Sequence, residues 1–441
     1  MNILKKITDR KILYIFTLCI IVFLPILKQL SFYFVKFGFI TNYDSINPVY
    51  IFCFSAPFLI YVYIKNLIDT KRKLDIFDYL FYILVVVGIF ASLFAIDKEI
   101  SFLGKDYRHE GFISLLCYYL LFINWKVGGT KEDIKQLLNV IIIMTIISGV
   151  YGILQIYSPF TWILRFANRT MAAGISGNPN FFGSLMVTTL SIVITKYLIE
   201  DKKSITSLLL IILLFVSLIN SKSLGPILTL ILTLIFIIIF LFIKKKIKLK
   251  KLIILILTLI ITYIGVIGIN KVRLNIDTNE IGNTVAAIKN ESLTTEEKMY
   301  IVGSGRFKIW KNSLNIVKDN FIIGVGYDNF QLAYYEGVNL TEVEFYTQDG
   351  VIKSRLKYPE ITDNAHNIYL HTLVSSGLLG LIPYLILCLL VFIKGLKTKS
   401  NLMMILLGGF VAYSIQAFAN ISVIQVAPIY YIIMGLMLIK E

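Results

Sequence analysis

The sequence predicts an all-α integral membrane protein of about 12 transmembrane helices, and three observations predict it. Hydrophobic residues fill 57% of the 441 positions and charged residues only 16%, which is not the balance of a soluble domain. Apolar runs recur along the whole chain, most of them near the 20 or so residues that a hydrocarbon core requires. Lys and Arg are shared unevenly between alternate connections, the bias that orients membrane proteins. Runs this long and continuous point to helices rather than a barrel, because a helix satisfies its own backbone in lipid.

Taken in order, the predicted spans are 12–30, 46–64, 76–95, 112–125, 136–157, 181–199, 205–220, 224–243, 252–269, 367–393, 402–419 and 423–439. The first follows a basic start, as a signal peptide would. No small-x-small cleavage site comes after it, and Pro25 and Lys28 end the run, so it reads as a retained helix. The fourth is short. The sixth opens after Asn178 and Asn180, residue types that cap helices. The tenth follows the polar run Asp363-Asn364-Ala365-His366, with Asp363 or Asn364 as the expected cap. Residues 1–269 thus carry nine helices, 270–365 form one large loop, and 366–441 carry the last three. Cys19, Cys53, Cys117 and Cys388 all fall inside apolar runs and read as small core residues. No repeat of 20–50 residues and no pair of Gly/Pro-broken halves appears.

The net charge of +16 resembles a nucleic-acid signal until the charges are placed. With the N-terminus inside, the inner segments hold 24 of the 43 Lys and Arg and the short outer loops hold eight. That bias puts both termini in the cytoplasm and the 270–365 loop outside, in a multi-pass protein of the cell membrane. Basicity therefore reports topology, and nucleic acid is excluded as a partner.

The large loop predicts one amphipathic helix. Phe307, Trp310, Leu314, Val317 and Phe321 recur at helical spacing, with Lys308, Lys311, Asn315 and Lys318 opposite. Gly324 and Gly326 end it, and GVGYDNF after a helix is not a dinucleotide fingerprint. Arg306 heads this helix, either as a clamp on a pyrophosphate or as a cation snorkelling at the interface. His366 falls in the first turn of the tenth span. There the helix dipole welcomes phosphate and keeps imidazole neutral, although a His that merely bonds water is the plainer reading. His371 lies roughly 140° further round the helix and reads as packing or as a support behind the site. Asn367, Trp310, Asn180, Lys222 and the pair Arg165 and Arg169 are candidate substrate contacts, each with a structural alternative in caps or headgroup contacts. Arg108 and His109 form another outer pair of the same kind. Metal chemistry has little support: the chain has three His, no HExxH and no DxD, and Asp97-Lys98-Glu99 reads as a solvated cluster. No cofactor is expected.

Four pieces in order resemble the O-antigen ligase and O-antigen polymerase family of bacterial membrane glycan transferases. They are GNPNFFG (177–183), SKSLGP (221–226), GSGRFKIWKNSLNIVKDNFIIGVGYDNF (303–330) and HNIYLHTLVSSGLLGLIPYL (366–385). The resemblance implies a GT-C-like bundle and a metal-independent, inverting glycosyltransferase. Its donor would be an undecaprenyl-pyrophosphate-linked glycan and its acceptor a saccharide, met at the outer face among membrane lipids. By that resemblance Arg306 engages the pyrophosphate and His366 acts at the reacting centre. The family commonly has an Arg in the short turn where this chain has Leu224, and Lys222 is the expected substitute. A lipid-linked sugar flippase or transporter is the alternative, as is a non-catalytic polysaccharide-assembly protein. Ligase and polymerase are not separated by these motifs.

Overall fold

The computed structural model describes residues 2–36, 47–105, 108–158, 171–200, 205–274, 288–290, 306–336, 343–348, 351–356 and 362–439. It is an all-α membrane protein. The helices before the large loop are α1 (Asn2–Leu18), α2 (Leu24–Lys36), α3 (Val49–Thr70), α4 (Ile76–Leu93), α5 (Lys98–Leu103), α6 (Phe112–Gly128), α7 (Lys131–Tyr157), α8 (Pro179–Ile199), α9 (Ile205–Asn220), α10 (Leu224–Ile243) and α11 (Leu249–Leu274). A π-helical turn, Cys19–Phe23, joins α1 to α2. Pro25 explains it, since a proline ring crowds the carbonyl four residues back and widens the turn. Then come α12 (Arg306–Asp319), α13 (Phe330–Glu336), α14 (Ile368–Lys397), α15 (Asn401–Gln416) and α16 (Ala427–Leu436).

Among the described residues, eight helical stretches are long and apolar enough to cross a membrane, and four shorter apolar helices, α6, α9, α15 and α16, fall on the remaining spans expected from sequence. The twelfth differs most from expectation. The run 423–439 yields only a ten-residue helix, about 15 Å long and half of a hydrocarbon core. Turns between α15 and α16 pack their apolar residues inside the protein, where Ile421, Val423, Ile424 and Val426 are all buried.

Hydropathy alone does not say which helix is central; burial does. Almost all of α8 is buried, whereas α10 and α11 expose Ile231, Ile235, Ile253, Ile260 and Ile264. An apolar surface of that extent belongs against lipid. The core runs through α3, α6, α8, α15 and α16, closed by Phe52, Tyr118, Phe122, Trp125, Phe182 and Tyr430.

The large loop adds one element that the all-α expectation lacked. Strands β1 (Val343–Gln348) and β2 (Val351–Leu356) pair antiparallel, with Val343 opposite Leu356 and Gln348 opposite Val351. Asp349-Gly350 between them is a favoured hairpin dipeptide. Helix α12 forms as expected, yet its buried side is Ile309, Ser313, Ile316 and Val317, packed on α14. Phe307, Leu314 and Phe321 of the expected stripe are about half exposed. At a membrane surface both faces of such a helix find an apolar partner, protein on one side and lipid on the other.

Candidate functional site

The site grows from a break in α14. At Gly377 the backbone turns to φ 60°, ψ −165°, a conformation that suits only glycine. A Cβ there would stand 2.1 Å from the Ile322 carbonyl oxygen. Such a break frees main-chain groups that lipid cannot satisfy, so it survives only where protein fills it. Residues 321–326 fill it. Val325 and Gly326 donate N–H to the carbonyls of Val374 and Ser375 at 2.9 and 3.0 Å, while Leu378 and Leu379 donate to the carbonyls of Phe321 and Ile322 at 2.9 and 3.2 Å. The Gly-x-Gly of the motif makes this possible. Gly326 sits at φ 95°, and a Cβ on it would lie 2.2 Å from that of Ala95.

The inserted segment then grips the connection between α4 and α6. Tyr327 N–H donates to Ser101 Oγ at 2.9 Å. Asn329 accepts from Asp97 N–H at 2.8 Å and donates to the Asp97 carbonyl at 3.0 Å. Asp328, itself at φ 55°, accepts from the N–H groups of Lys105 and Glu110 at 2.7 and 3.4 Å. Burial raises the Asp328 pKa, with those N–H groups and Arg108 opposing. The Asp97-Lys98-Glu99 cluster thereby finds its role: Asp97 caps α5 through Ile100 N–H at 3.0 Å.

Held in this way, the connection delivers Arg108 to the segment before α14. Arg108 Nε donates to Asp363 Oδ2 at 2.7 Å, and Nη2 is 2.6 Å from the same oxygen. Its Nη1 is buried without a hydrogen-bond partner. From sequence alone Arg108 stands only in an outer pair with His109. Gly104 and Gly111 around a charged Arg-His-Glu triplet were the available signal.

His366 is fixed from two sides. Its N–H donates to Asn364 Oδ1 at 3.2 Å, and Trp310 Nε1 donates to the Ala365 carbonyl at 2.9 Å, tying α12 to the same residues. The expected cap is corrected here. Asn367 caps α14, accepting from Leu370 N–H at 3.0 Å, and His366 stands outside the helix at φ 49° rather than in its first turn. A capping Asn directly after His366 outcompetes Asp363 and Asn364, whose side chains go to Arg108 and to His366 N–H. Burial, then the nearby Arg306 and Arg108 guanidinium groups, press the His366 pKa down to about 4, against the pull of Asp363. The imidazole is therefore neutral near pH 7. Burial also lowers the pKa of Arg306, which still stays charged.

The other candidates are placed less directly. Asn180 Oδ1 accepts from Ser223 Oγ at 2.5 Å and its carbonyl accepts from Asn420 Nδ2 at 3.2 Å. Its N–H donates to Asn178 Oδ1, which caps α8 as expected. Lys222 stands in the same turn at φ 50°. That turn and the start of α14 converge on the end of α15, where Ile368 N–H meets the Ala417 carbonyl at 2.8 Å. The charges acting on His366 are those of Arg306, Arg108 and Asp363. Arg165 and Arg169 lie outside the described residues. His371 packs against the Phe330 ring with centroids 5.8 Å apart.

Residues 209–385 match the family model described as O-antigen ligase. The match takes in the 221–226 turn, α12, the inserted segment and the broken part of α14. The Arg108 connection and GNPNFFG lie outside it. No curated protein matches the chain.

Proposed function

Since residues 209–385 mark a multi-pass membrane enzyme of the O-antigen ligase type, we propose that the chain transfers an undecaprenyl-pyrophosphate-linked oligosaccharide to a glycan or lipid-glycan acceptor. The reaction takes place on the outer face of the cytoplasmic membrane, in cell-surface polysaccharide assembly. One observation carries this reading: an uncharged His366 lies within electrostatic reach of two largely buried guanidinium groups, Arg306 and Arg108. Cations removed from water are costly without a counter-anion, and a diphosphate supplies one.

The chemistry follows from these groups. Arg306 and the Nη1 of Arg108 hold the diphosphate and stabilise the charge that grows as it leaves. Lys222 contributes as a point charge from the neighbouring turn. His366, neutral near pH 7, accepts the proton of the acceptor hydroxyl as that oxygen attacks the anomeric carbon. The incoming diphosphate offsets the two cations and raises the affinity of the imidazole for that proton. Attack opposite the leaving group inverts the anomeric centre, and no metal is required by these roles. Asn180, Asn367 and Trp310 shape the site through the turn, the cap and the Ala365 carbonyl. The charge bias of the loops supports an outward-facing site and cytoplasmic termini.

The test is turnover by purified protein given an undecaprenyl-pyrophosphate glycan. Product from the wild-type enzyme but not from His366→Ala or Arg306→Ala supports the reading. Movement of the lipid across the bilayer without transfer would replace it with a flippase. Product chain length then distinguishes single attachment, a ligase, from growth of a polymer.

A further inference from the structure

Along the first turns of α14, whose opening residue Ile368 comes two positions after His366, lies a small cavity of about 50 Å³. It is too small for a sugar ring and has room for about three or four waters at roughly 10–15 Å³ each. Two polar atoms of its wall, His371 Nδ1 and Ser375 Oγ, are buried without a hydrogen-bond partner, and Ser375 is wholly enclosed. Buried polar atoms are seldom left unpaired, so these two are places for water to bind.

The facing wall holds Glu110. Its carboxylate accepts hydrogen bonds from Tyr118 Oη at 3.2 Å and Ser422 Oγ at 3.1 Å. Three separate elements thus enclose one acid that the transfer chemistry above leaves unused. We propose that Glu110 is the proton store of the transfer reaction, reached from His366 through water anchored in this cavity by His371 and Ser375. The proposal rests on the transfer reading. As the acceptor oxygen bonds to the anomeric carbon, its O–H bond breaks and the proton passes to His366. The bond from that carbon to the diphosphate breaks with its electron pair leaving on the phosphate oxygen. The proton then moves along the water to the Glu110 carboxylate and is released to solvent before the next turnover.

The groups around Glu110 set its readiness. Burial raises its pKa first, Asp328 adds to this, and Ser422, Arg108 and Tyr118 oppose, leaving it at about 7. Arg108 lies on its own connection and Asp328 on the inserted segment, and their charges act in opposite directions. The remaining titratable groups around the cavity are His371 and Tyr384 on α14, Tyr118 and Tyr119 on α6, Tyr327 on the inserted segment, Tyr413 on α15 and Tyr431 on α16, the phenols being uncharged near neutral pH. An acid poised near the working pH exchanges protons efficiently, which His366 at about 4 does less well unaided.

The experiment uses the full-length protein in lipid nanodiscs, with two readouts. Infrared spectroscopy over a pH series should show a protonated-carboxyl band that titrates near neutral pH and is absent in Glu110→Gln. The pH profile of transfer should show an inflection in the same range. Glu110→Gln should lose that inflection with at least about a tenfold drop in kcat and little change in donor KM, and Glu110→Asp should restore an inflection at a displaced pH. Wild-type turnover with an unchanged kcat and pH profile in Glu110→Gln overturns the relay alone. So does a carboxyl band that never titrates near neutral pH. Absence of turnover in the wild type overturns the transfer reading and the relay with it. A Glu110→Gln protein that fails to elute as a folded monodisperse species is replaced by Glu110→Asp, whose shortened side chain should displace the inflection; an unshifted profile then counts against the relay.

Discussion

The two ends of the helical bundle treat positive charge in opposite ways. At one end Arg72 and Lys126 converge on Asp78, Arg10 reaches Asp133 at 2.5 Å, and Lys65 reaches Asp9 at 2.6 Å. The side chains of Asp78 and Asp133 are fully buried, and each also accepts main-chain bonds in a capping box. At the other end Arg108 shares the partly exposed Asp363, and Arg306 has no ion pair with any described residue. The first arrangement is closed: each cation meets its carboxylate, and the network fixes α1, α3, α4, α6 and α7 to one another. The second is open: Arg108 pairs with a partly exposed carboxylate, and Arg306 meets no carboxylate among the described residues. An ion network that is complete is architecture, whereas an incomplete one in a low-dielectric setting is a binding site.

If that contrast holds, substitutions at the two ends should separate stability from turnover. The largest effect is expected from His366→Ala, a loss of about 10²- to 10⁴-fold in kcat with unchanged membrane insertion and thermal unfolding. A stability loss of comparable size would dissolve the distinction. Next comes Asp78→Asn, which leaves Arg72 and Lys126 without their buried anion and should cost about 3–5 kcal/mol, read by denaturation in detergent. The surviving folded fraction should turn over at the wild-type rate. Arg108→Ala should raise donor KM and lower kcat/KM by about tenfold to a hundredfold, in line with about 1.5–3 kcal/mol for a charged hydrogen bond. It should leave the unfolding temperature nearly unmoved, because Asp363 is 39% exposed and stays hydrated. The smallest effect is expected from Trp310→Phe. It removes the bond to the Ala365 carbonyl, worth about 1 kcal/mol, and should reduce kcat severalfold by loosening α12 against His366.

Much of the fold was legible because lipid imposes a length and a composition on whatever crosses it. The spans, the Asn178 cap and the helix headed by Arg306 all follow from local pattern. Local pattern failed where the surroundings decide. The stripe of α12 was misread because Phe307 and Leu314 are apolar for the membrane rather than for the core. His366 was assigned to a helix that begins two residues after it, since Asp363, Asn364 and Asn367 are all residue types that cap. Arg108 was underrated because spacing along the chain does not reveal that residues 108 and 363 meet. The hairpin was missed although its Asp349-Gly350 dipeptide was in view. The resemblance noted from sequence marked Gly326 and the glycines of α14 without a reason. The break at Gly377 supplies one.

That interrupted helix bears on how proteins of this architecture are recombined. The four main-chain bonds bridging the gap weld the stretch from Arg306 to Asn329 onto the stretch from Asp363 to Leu379. A chimaera that exchanged only the large loop would leave amide and carbonyl groups stranded in oil at the seam. Swaps meant to change the accepted glycan should therefore carry 306–385 as a single cassette, with both crossovers outside it.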